Sequence, residues 1–225
     1  REYAECLLKA TFLTGFDPGF ELLETLRLEA GKYPLLSLHL ERLQASAHSL
    51  GFSCPLPTLS AALAAEALAR PAGVFRVRLT LAHDGRYGVV SSPLVEDEGM
   101  HWRVGLAAEG LSATDYLLRH KTTARARYDR ALAALADRPA VFDAIFFNTR
   151  GEVCEGARSN VFIERDGLLL TPPRSCGCLL YTSRRRLLAS GRAIEQVLRL
   201  DDLRLASALY LGNALRGLIP VSLEL

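Results

Sequence analysis

The sequence predicts an α+β fold in two subdomains. Two helical stretches, the one-faced Leu38–Leu50 and the Ala- and Leu-rich Pro55–Ala69, stand together in the first half. A cleanly alternating strand, Phe75–Leu81, follows and turns back on itself. Beyond residue 112, short apolar runs divided by turn residues dominate, with few helices between them. Strands and helices that segregate, without a regular βαβ repeat, point to α+β.

Taken in order, Glu2 to Leu13 has apolar residues at Tyr3, Leu7, Leu8 and Phe12, the spacing of a short helix. Asp17-Pro18-Gly19 breaks it. Phe20–Leu28 reads as a strand, Gly31-Lys32 as a turn and Tyr33–Leu36 as a second short strand. Leu40, Leu43, Ala47 and Leu50 line one face of the first strong helix, with Ser37 as N-cap. Pro55–Ala69 follows, capped by Thr58 or Ser60. In Phe75–Leu81 the apolar residues face one way, and Arg76, Arg78 and Thr80 the other. His83-Asp-Gly85 turns the chain into Arg86–Ser91 as a hairpin. Trp102–Ala108 is a further strand. Glu109–Thr114 has loop composition, and the boundary is placed there, giving subdomains 1–112 and 113–225. The second half reads as a helix over 124–136, then strands at 142–147, 153–155, 160–164 and 168–170. A helix at 183–190, a strand at 193–200, a helical turn at 201–205 and a strand at 208–211 complete it.

The 225 residues carry 27 basic and 25 acidic side chains, a net charge of +2. So even a balance gives no broad footprint for nucleic acid. No apolar run is long enough to span a bilayer and no signal-peptide pattern opens the chain, so the expected location is cytoplasmic. The chain starts at Arg1 rather than Met, as expected of a processed chain or a piece of a longer one. Cys6, Cys54, Cys154, Cys176 and Cys178 are odd in number and scattered, against a disulfide framework. Cys176 and Cys178 lack zinc-knuckle spacing, and no metal is expected.

The candidate chemistry lies between His120 and Arg184. Lys121 is one of three lysines, with Lys9 and Lys32, and it precedes a helix. Schiff-base chemistry needs a lysine whose amine is neutral, which burial or a cationic neighbour achieves. A carboxylate on a strand can hold a ring nitrogen protonated; Glu152 and Glu155 both qualify. Tyr181-Thr-Ser-Arg184 leads into a helix whose N–H groups can bind phosphate, with Thr182 and Ser183 adding hydroxyls. Arg76 and Arg78 either grip a carboxylate by their guanidinium forks or stand in solvent. Arg42 reads as a surface residue of its helix.

These pieces together resemble the class IV aminotransferase family of pyridoxal-phosphate enzymes. The matching runs are Leu38-His-Leu-Glu-Arg-Leu43, Lys121, Asn148-Thr-Arg-Gly-Glu-Val-Cys-Glu155, Ser159-Asn-Val-Phe162, Leu170-Thr-Pro-Pro173 and Asn213-Ala-Leu215. The finer pattern, in Glu5–Ala10, Leu23–Arg27 and His120–Thr123, is similar to the aminodeoxychorismate lyase branch. It is the version found as the C-terminal half of a bifunctional para-aminobenzoate synthase. The resemblance implies a D-amino-acid aminotransferase-like, fold-type IV architecture, with pyridoxal 5'-phosphate between two α/β subdomains. It implies Lys121 as the covalent anchor of the cofactor and its acid and base. Glu155 becomes the partner of the pyridine nitrogen. Arg42, Thr182 and Ser183 bind the phosphate, Asn213 and Ala214 close its far side, and Thr25 lies near the substrate. Arg76 or Arg78 takes a substrate carboxylate. A homodimer, and fusion to or association with an aminodeoxychorismate synthase component, are implied as well. One departure stands out. The family commonly carries a Leu-Pro-Gly turn before the phosphate-binding residues, where this chain has Leu180 and Tyr181. Glycine permits positive φ and close backbone approach, and tyrosine adopts it only at a cost.

The activity so implied is elimination of pyruvate from 4-amino-4-deoxychorismate to give 4-aminobenzoate. The rival expectations are a branched-chain or D-amino-acid transaminase, using the same lysine, and a non-catalytic domain that has lost the cofactor.

Overall fold

The computed structural model describes residues 17–95, 99–179 and 182–224. The predicted helix at Glu2–Leu13 and the Leu180-Tyr181 departure lie outside the described residues.

Two sheets organise the molecule. The smaller contains β1 (Leu22–Glu29), β2 (Val74–Leu81) and β3 (Tyr87–Pro93), all antiparallel in the order β1-β2-β3. Helices α1 (Leu36–Leu50) and α2 (Leu56–Ala69) cover one face. The period of 2 explains why. Leu22, Leu26 and Leu28 of β1, with Val77, Leu79 and Leu81 of β2, point to the helices and are buried with Leu43, Ala47, Leu59 and Leu63. The other face carries Thr25 opposite Arg78 and Arg27 opposite Arg76. Among the described residues no helix covers it, and it becomes one wall of a cavity.

The larger sheet runs β6-β5-β4-β11-β10-β7-β8-β9. Its strands are β4 (Trp102–Leu106), β5 (Val141–Phe147), β6 (Val153–Gly156), β7 (Asn160–Arg165), β8 (Leu168–Thr171), β9 (Ala193–Glu195), β10 (Ala208–Asn213) and β11 (Gly217–Leu223). Three further helices belong with it: α3 (Ala126–Ala133), α4 (Thr182–Ala189) and α5 (Leu200–Leu205). Val104, Ile145, Val153, Val161, Ile163 and Leu211 form its main core.

Several expectations need correction. Tyr33–Leu36 is not a strand; Glu29 and Lys32 close a tight turn through reciprocal backbone hydrogen bonds of 2.9 Å, and the chain enters α1 at once. Ser37 lies inside α1, whose N-cap position is Leu35 with no side-chain cap. Neither Thr58 nor Ser60 caps α2: Pro55 holds that position, and the Ser60 hydroxyl donates to the Leu56 carbonyl. The strand predicted over 193–200 stops at Glu195, because the chain then leaves its ladder and the Leu198 carbonyl accepts from Val153 N. The predicted helix over 124–136 is regular only from Ala126 to Ala133. Sequence reading missed β11 altogether, since Pro220 within a run argues against a strand. It nonetheless sits between β4 and β10. β4 pairs with β5 and β11 of the larger sheet, so the change of sheet occurs between Pro93 and Trp102.

Candidate active site

Lys121 is fixed by its backbone. Its carbonyl accepts from Leu23 N at 2.8 Å, and Thr123 N donates to the Glu21 carbonyl at 2.8 Å. The Thr123 hydroxyl accepts from Glu21 N at 2.9 Å. The Lys-Thr-Thr run therefore docks as a short extra strand beside β1. This places the lysine where the two sheets meet, between two cavities of about 520 and 560 Å³ that it lines in common. Burial, and then the nearby cations Arg42 and Arg125, lower its ammonium from 10.5 to about 7. A substantial share of neutral, nucleophilic amine thus exists at physiological pH.

Glu155 lines the smaller cavity with Lys121. It sits on β6 between Cys154 and Gly156, and its carboxyl is fully enclosed. One oxygen accepts from the Tyr128 hydroxyl at 2.7 Å and the other from Leu179 N at 2.9 Å. Burial raises it to about 7 against these donors. Glu152, the rival acid, lies at the outer turn. Arg150 and Asn148 hold it there and bring its carboxyl down to about 2. The geometry therefore separates the two acids: only Glu155 faces Lys121.

A turn shaped by Asp143 carries Glu155 into place. The buried Asp143 carboxylate accepts from the Ser159 hydroxyl at 2.5 Å and from Arg158 N at 3.2 Å. Gly156 is required here, because a Cβ would stand 2.5 Å from both Asp143 Oδ2 and Ser159 Oγ. Neither Asp143 nor Tyr128 was singled out from the sequence. The signal was present in an aspartate within the apolar run Val141–Phe147, where an acid has to be satisfied by partners.

Arg42 is not the surface arginine that its helix position suggested. Its side chain is 11% exposed and donates to Glu24 through Nε at 2.8 Å and Nη2 at 2.5 Å. His39, one turn earlier on α1, shares the same carboxylate at 2.6 Å through Nδ1. Its Nε2 lies 3.5 Å from the Thr182 hydroxyl at the start of α4. Glu24 points to the helix side of β1, where an apolar residue is the norm, and sequence reasoning missed it. Burial opposes its ionisation, but Arg42 and His39 outweigh burial and hold the carboxyl at about 2. The sign follows. The folded value lies below the unfolded 4.5, so this stabilisation is fully present above 4.5 and is lost as pH falls through 2. Glu24→Gln is expected to cost on the order of 3 kcal/mol by removing the buried negative charge that Arg42 and His39 share. Urea unfolding at pH 7 measures it, and the acid limb of the wild-type stability curve flattens in the variant.

The hydroxyls at 182 and 183 differ. Thr182 reaches the Glu24–His39–Arg42 cluster. Ser183 is buried, and its hydroxyl has no partner among the described residues. A buried orphan hydroxyl at the start of a helix, beside an arginine cluster, suits an anion.

The larger cavity has a different lining. From the open face of the small sheet come Thr25, Arg76 and Arg78. From the large sheet come Phe142, Arg158 and the Asn213–Arg216 turn. Asn213 organises that turn by accepting from Leu215 N and Arg216 N, each at 3.0 Å. Arg27 ties the turn to the small sheet by donating to the Leu215 carbonyl at 2.8 Å. The structure therefore brings Lys121, Thr25, Arg42, Arg76, Arg78, Asn213 and Ala214 around one cavity. Glu155 stands on the other side of the lysine, and Thr182 and Ser183 line neither cavity.

Among the described residues, no helix is long and apolar enough to cross a membrane, and no group of three His, Cys, Asp or Glu side chains is placed to hold a metal ion.

Known proteins share the fold that carries these residues. A Schizosaccharomyces pombe protein provisionally named aminodeoxychorismate lyase is 31% identical over 191 residues, covering 83% of this chain and 82% of that one. A Mesorhizobium loti crystal structure, provisionally named an amino-acid aminotransferase, superposes with TM-score 0.83 at 39% identity over 91% of this chain and 100% of that one. A Mycobacterium tuberculosis aminotransferase, described as hypothetical and solved with pyridoxal phosphate bound, superposes with TM-score 0.80 at 26% identity. That match covers 92% of this chain and 82% of the other. The architecture is therefore that of the fold-type IV aminotransferases. The family profile Amino-transferase class IV matches residues 21–223, nearly the whole of the described chain, and the protein belongs to that family.

Proposed function

We propose that this chain is a pyridoxal-phosphate-dependent lyase that eliminates pyruvate from 4-amino-4-deoxychorismate to give 4-aminobenzoate. The observation that carries the reading is the placement of Lys121. Its amine titrates at about 7 and joins a cavity holding a buried carboxyl to a cavity walled by arginines.

The residues present fit the cofactor. Lys121 offers a neutral amine to an aldehyde. Glu155 offers a carboxyl that a neighbouring ring cation would hold ionised. Arg42, Thr182 and the orphan hydroxyl of Ser183 offer a phosphate site. When bound, pyridoxal phosphate supplies an electron sink for a carbon that loses a proton.

The protein's own work is then positioning and proton handling. Lys121 Nζ takes the proton from the amine-bearing ring carbon. It holds that proton and returns it to the departing enolpyruvyl group, which leaves as pyruvate. Glu155 keeps negative charge against the ring nitrogen throughout. Arg76 and Arg78 grip a substrate carboxylate, and Thr25 borders the same space. Aromatisation of the product ring makes the step strongly downhill, so positioning and the carriage of one proton by Lys121 suffice.

The cationic lining favours a substrate rich in carboxylates, and it favours the lyase over a transaminase for apolar branched-chain amino acids. A transaminase remains the second reading, supported by the 39% identity to the Mesorhizobium loti protein. The protein loaded with pyridoxal phosphate is mixed with 4-amino-4-deoxychorismate and both products are quantified. Pyruvate and 4-aminobenzoate in equal amounts are expected. Conversion of the cofactor to its amine form with an α-keto acid product, and no pyruvate, contradicts the lyase.

A further inference from the structure

Arg158 stands at the tip of the β6–β7 turn and lines the larger cavity. It is anchored at both ends by successive residues of β5. Its backbone N–H donates to Asp143 Oδ2 at 3.2 Å. Its guanidinium donates to the Phe142 carbonyl through Nε at 3.0 Å and through Nη2. The same guanidinium lies over the Phe142 ring, 4.9 Å from the centroid. Arginine normally forfeits side-chain freedom when it grips a ligand. Here that loss has already been taken in the unliganded fold, and Nη1 has no partner among the described residues. A fixed, half-used guanidinium on a cavity wall is preorganised for a planar anion.

The charges around the cavity show how many anions it suits. Arg42 is neutralised by Glu24. Arg125 lies over the Tyr128 ring and has Asp129 at 4.0 Å. The side chains of Arg76 and Arg78 have no hydrogen bond or ion pair among the described residues, and the Arg158 guanidinium donates only to the Phe142 carbonyl, with the buried Asp143 carboxyl attracting it from behind. Cationic groups on two walls, Arg76 and Arg78 on the small sheet and Arg158 on the turn, therefore face one cavity of about 560 Å³. A single carboxylate would answer one wall and leave the other unanswered.

We propose that Arg158 is a preset carboxylate-binding residue which, with Arg78 on the opposite wall, makes the site select compounds bearing two carboxylates on a small ring. The proposal rests on the reading of this cavity as the substrate side of Lys121. It adds the residue that sets the preference.

The test uses two probes, isophthalate with two ring carboxylates and benzoate with one. Their binding to the full chain loaded with pyridoxal phosphate is measured by calorimetry, for wild type, Arg158→Met and Arg158→Lys. Wild type is expected to bind isophthalate roughly 10-fold more tightly than benzoate, the scale of one charge-assisted hydrogen bond. Arg158→Met is expected to erase that preference with benzoate affinity unchanged, and Arg158→Lys to recover part of it. No preference in wild type, an isophthalate affinity unmoved in Arg158→Met, or equal losses for both probes would each overturn the proposal. Borohydride fixation of the cofactor, run on the same samples, keeps the two readings apart. Its absence in wild type counts against the cofactor reading. Its presence alongside any of the three contrary binding results counts against Arg158 alone.

Discussion

Lys121→Ala is expected to lower turnover by roughly 10³-fold or more, since in the proposed reaction one group serves as both nucleophile and proton carrier. The fold should not suffer. The folded-state value of Lys121, about 7, lies below its unfolded 10.5. The folded state thus binds fewer protons between those values, and stability falls as pH drops from 10.5 to 7. At neutral pH the lysine is a burden on the fold, so the alanine variant should unfold at the same or a higher temperature. The same titration sets a kinetic signature: the rate at which pyridoxal phosphate attaches to the wild-type chain should rise with pH to a midpoint at about 7. A midpoint near 10 would mean that the amine is not desolvated.

Glu155→Gln is expected to retain the cofactor and lose roughly 10²-fold in turnover, the scale seen when one preorganised electrostatic partner is removed. Glutamine keeps acceptor capacity for Leu179 N but cannot carry the charge that holds a ring nitrogen protonated. The stability sign is opposite to that of an ordinary exposed acid. The folded value of about 7 lies above the unfolded 4.5, so the contribution of Glu155 is fully present below 4.5 and is lost as pH rises through 7. The variant should therefore gain stability relative to wild type above pH 7. Lys121 and Glu155 together place a minimum of their combined contribution near neutrality, where both are needed in their reactive forms. Turnover assays with matched thermal unfolding from pH 5 to 9 check both statements.

Much of the fold was legible because it follows from periodicity. β2 alternates so cleanly that its arginines could be assigned to one face, and the observed register places Arg78 opposite Thr25 on that face. α1 was readable from its apolar stripe and α2 from its richness in Ala and Leu. Caps and short strands were harder. Leu35 and Pro55 start helices without side-chain caps, so searching for Ser and Thr pointed to the wrong residues. β11 was hidden by Pro220, which a strand with partners on both sides rarely contains.

The site was legible where chemistry demands an unusual residue and obscure where it depends on tertiary neighbours. Lys121 and Glu155 were singled out from their motifs, and the structure brings both to one cavity. Arg42 looked like a surface residue because its partner Glu24 lies 18 positions away on a strand, beyond the reach of any local pattern. Tyr128, Asp143 and Arg158 act through contacts made only when β5, β6 and α3 assemble, and no local spacing announces them.

The central claim is that Lys121 carries the cofactor, and one measurement addresses it directly. The purified chain is incubated with pyridoxal phosphate, its visible absorbance is recorded, and borohydride is added before proteolysis and mass spectrometry. The account predicts a visible band that borohydride abolishes, with the added pyridoxyl mass on the peptide containing Lys121. A folded protein with no band, or with the mass on Lys9 or Lys32 instead, would contradict it.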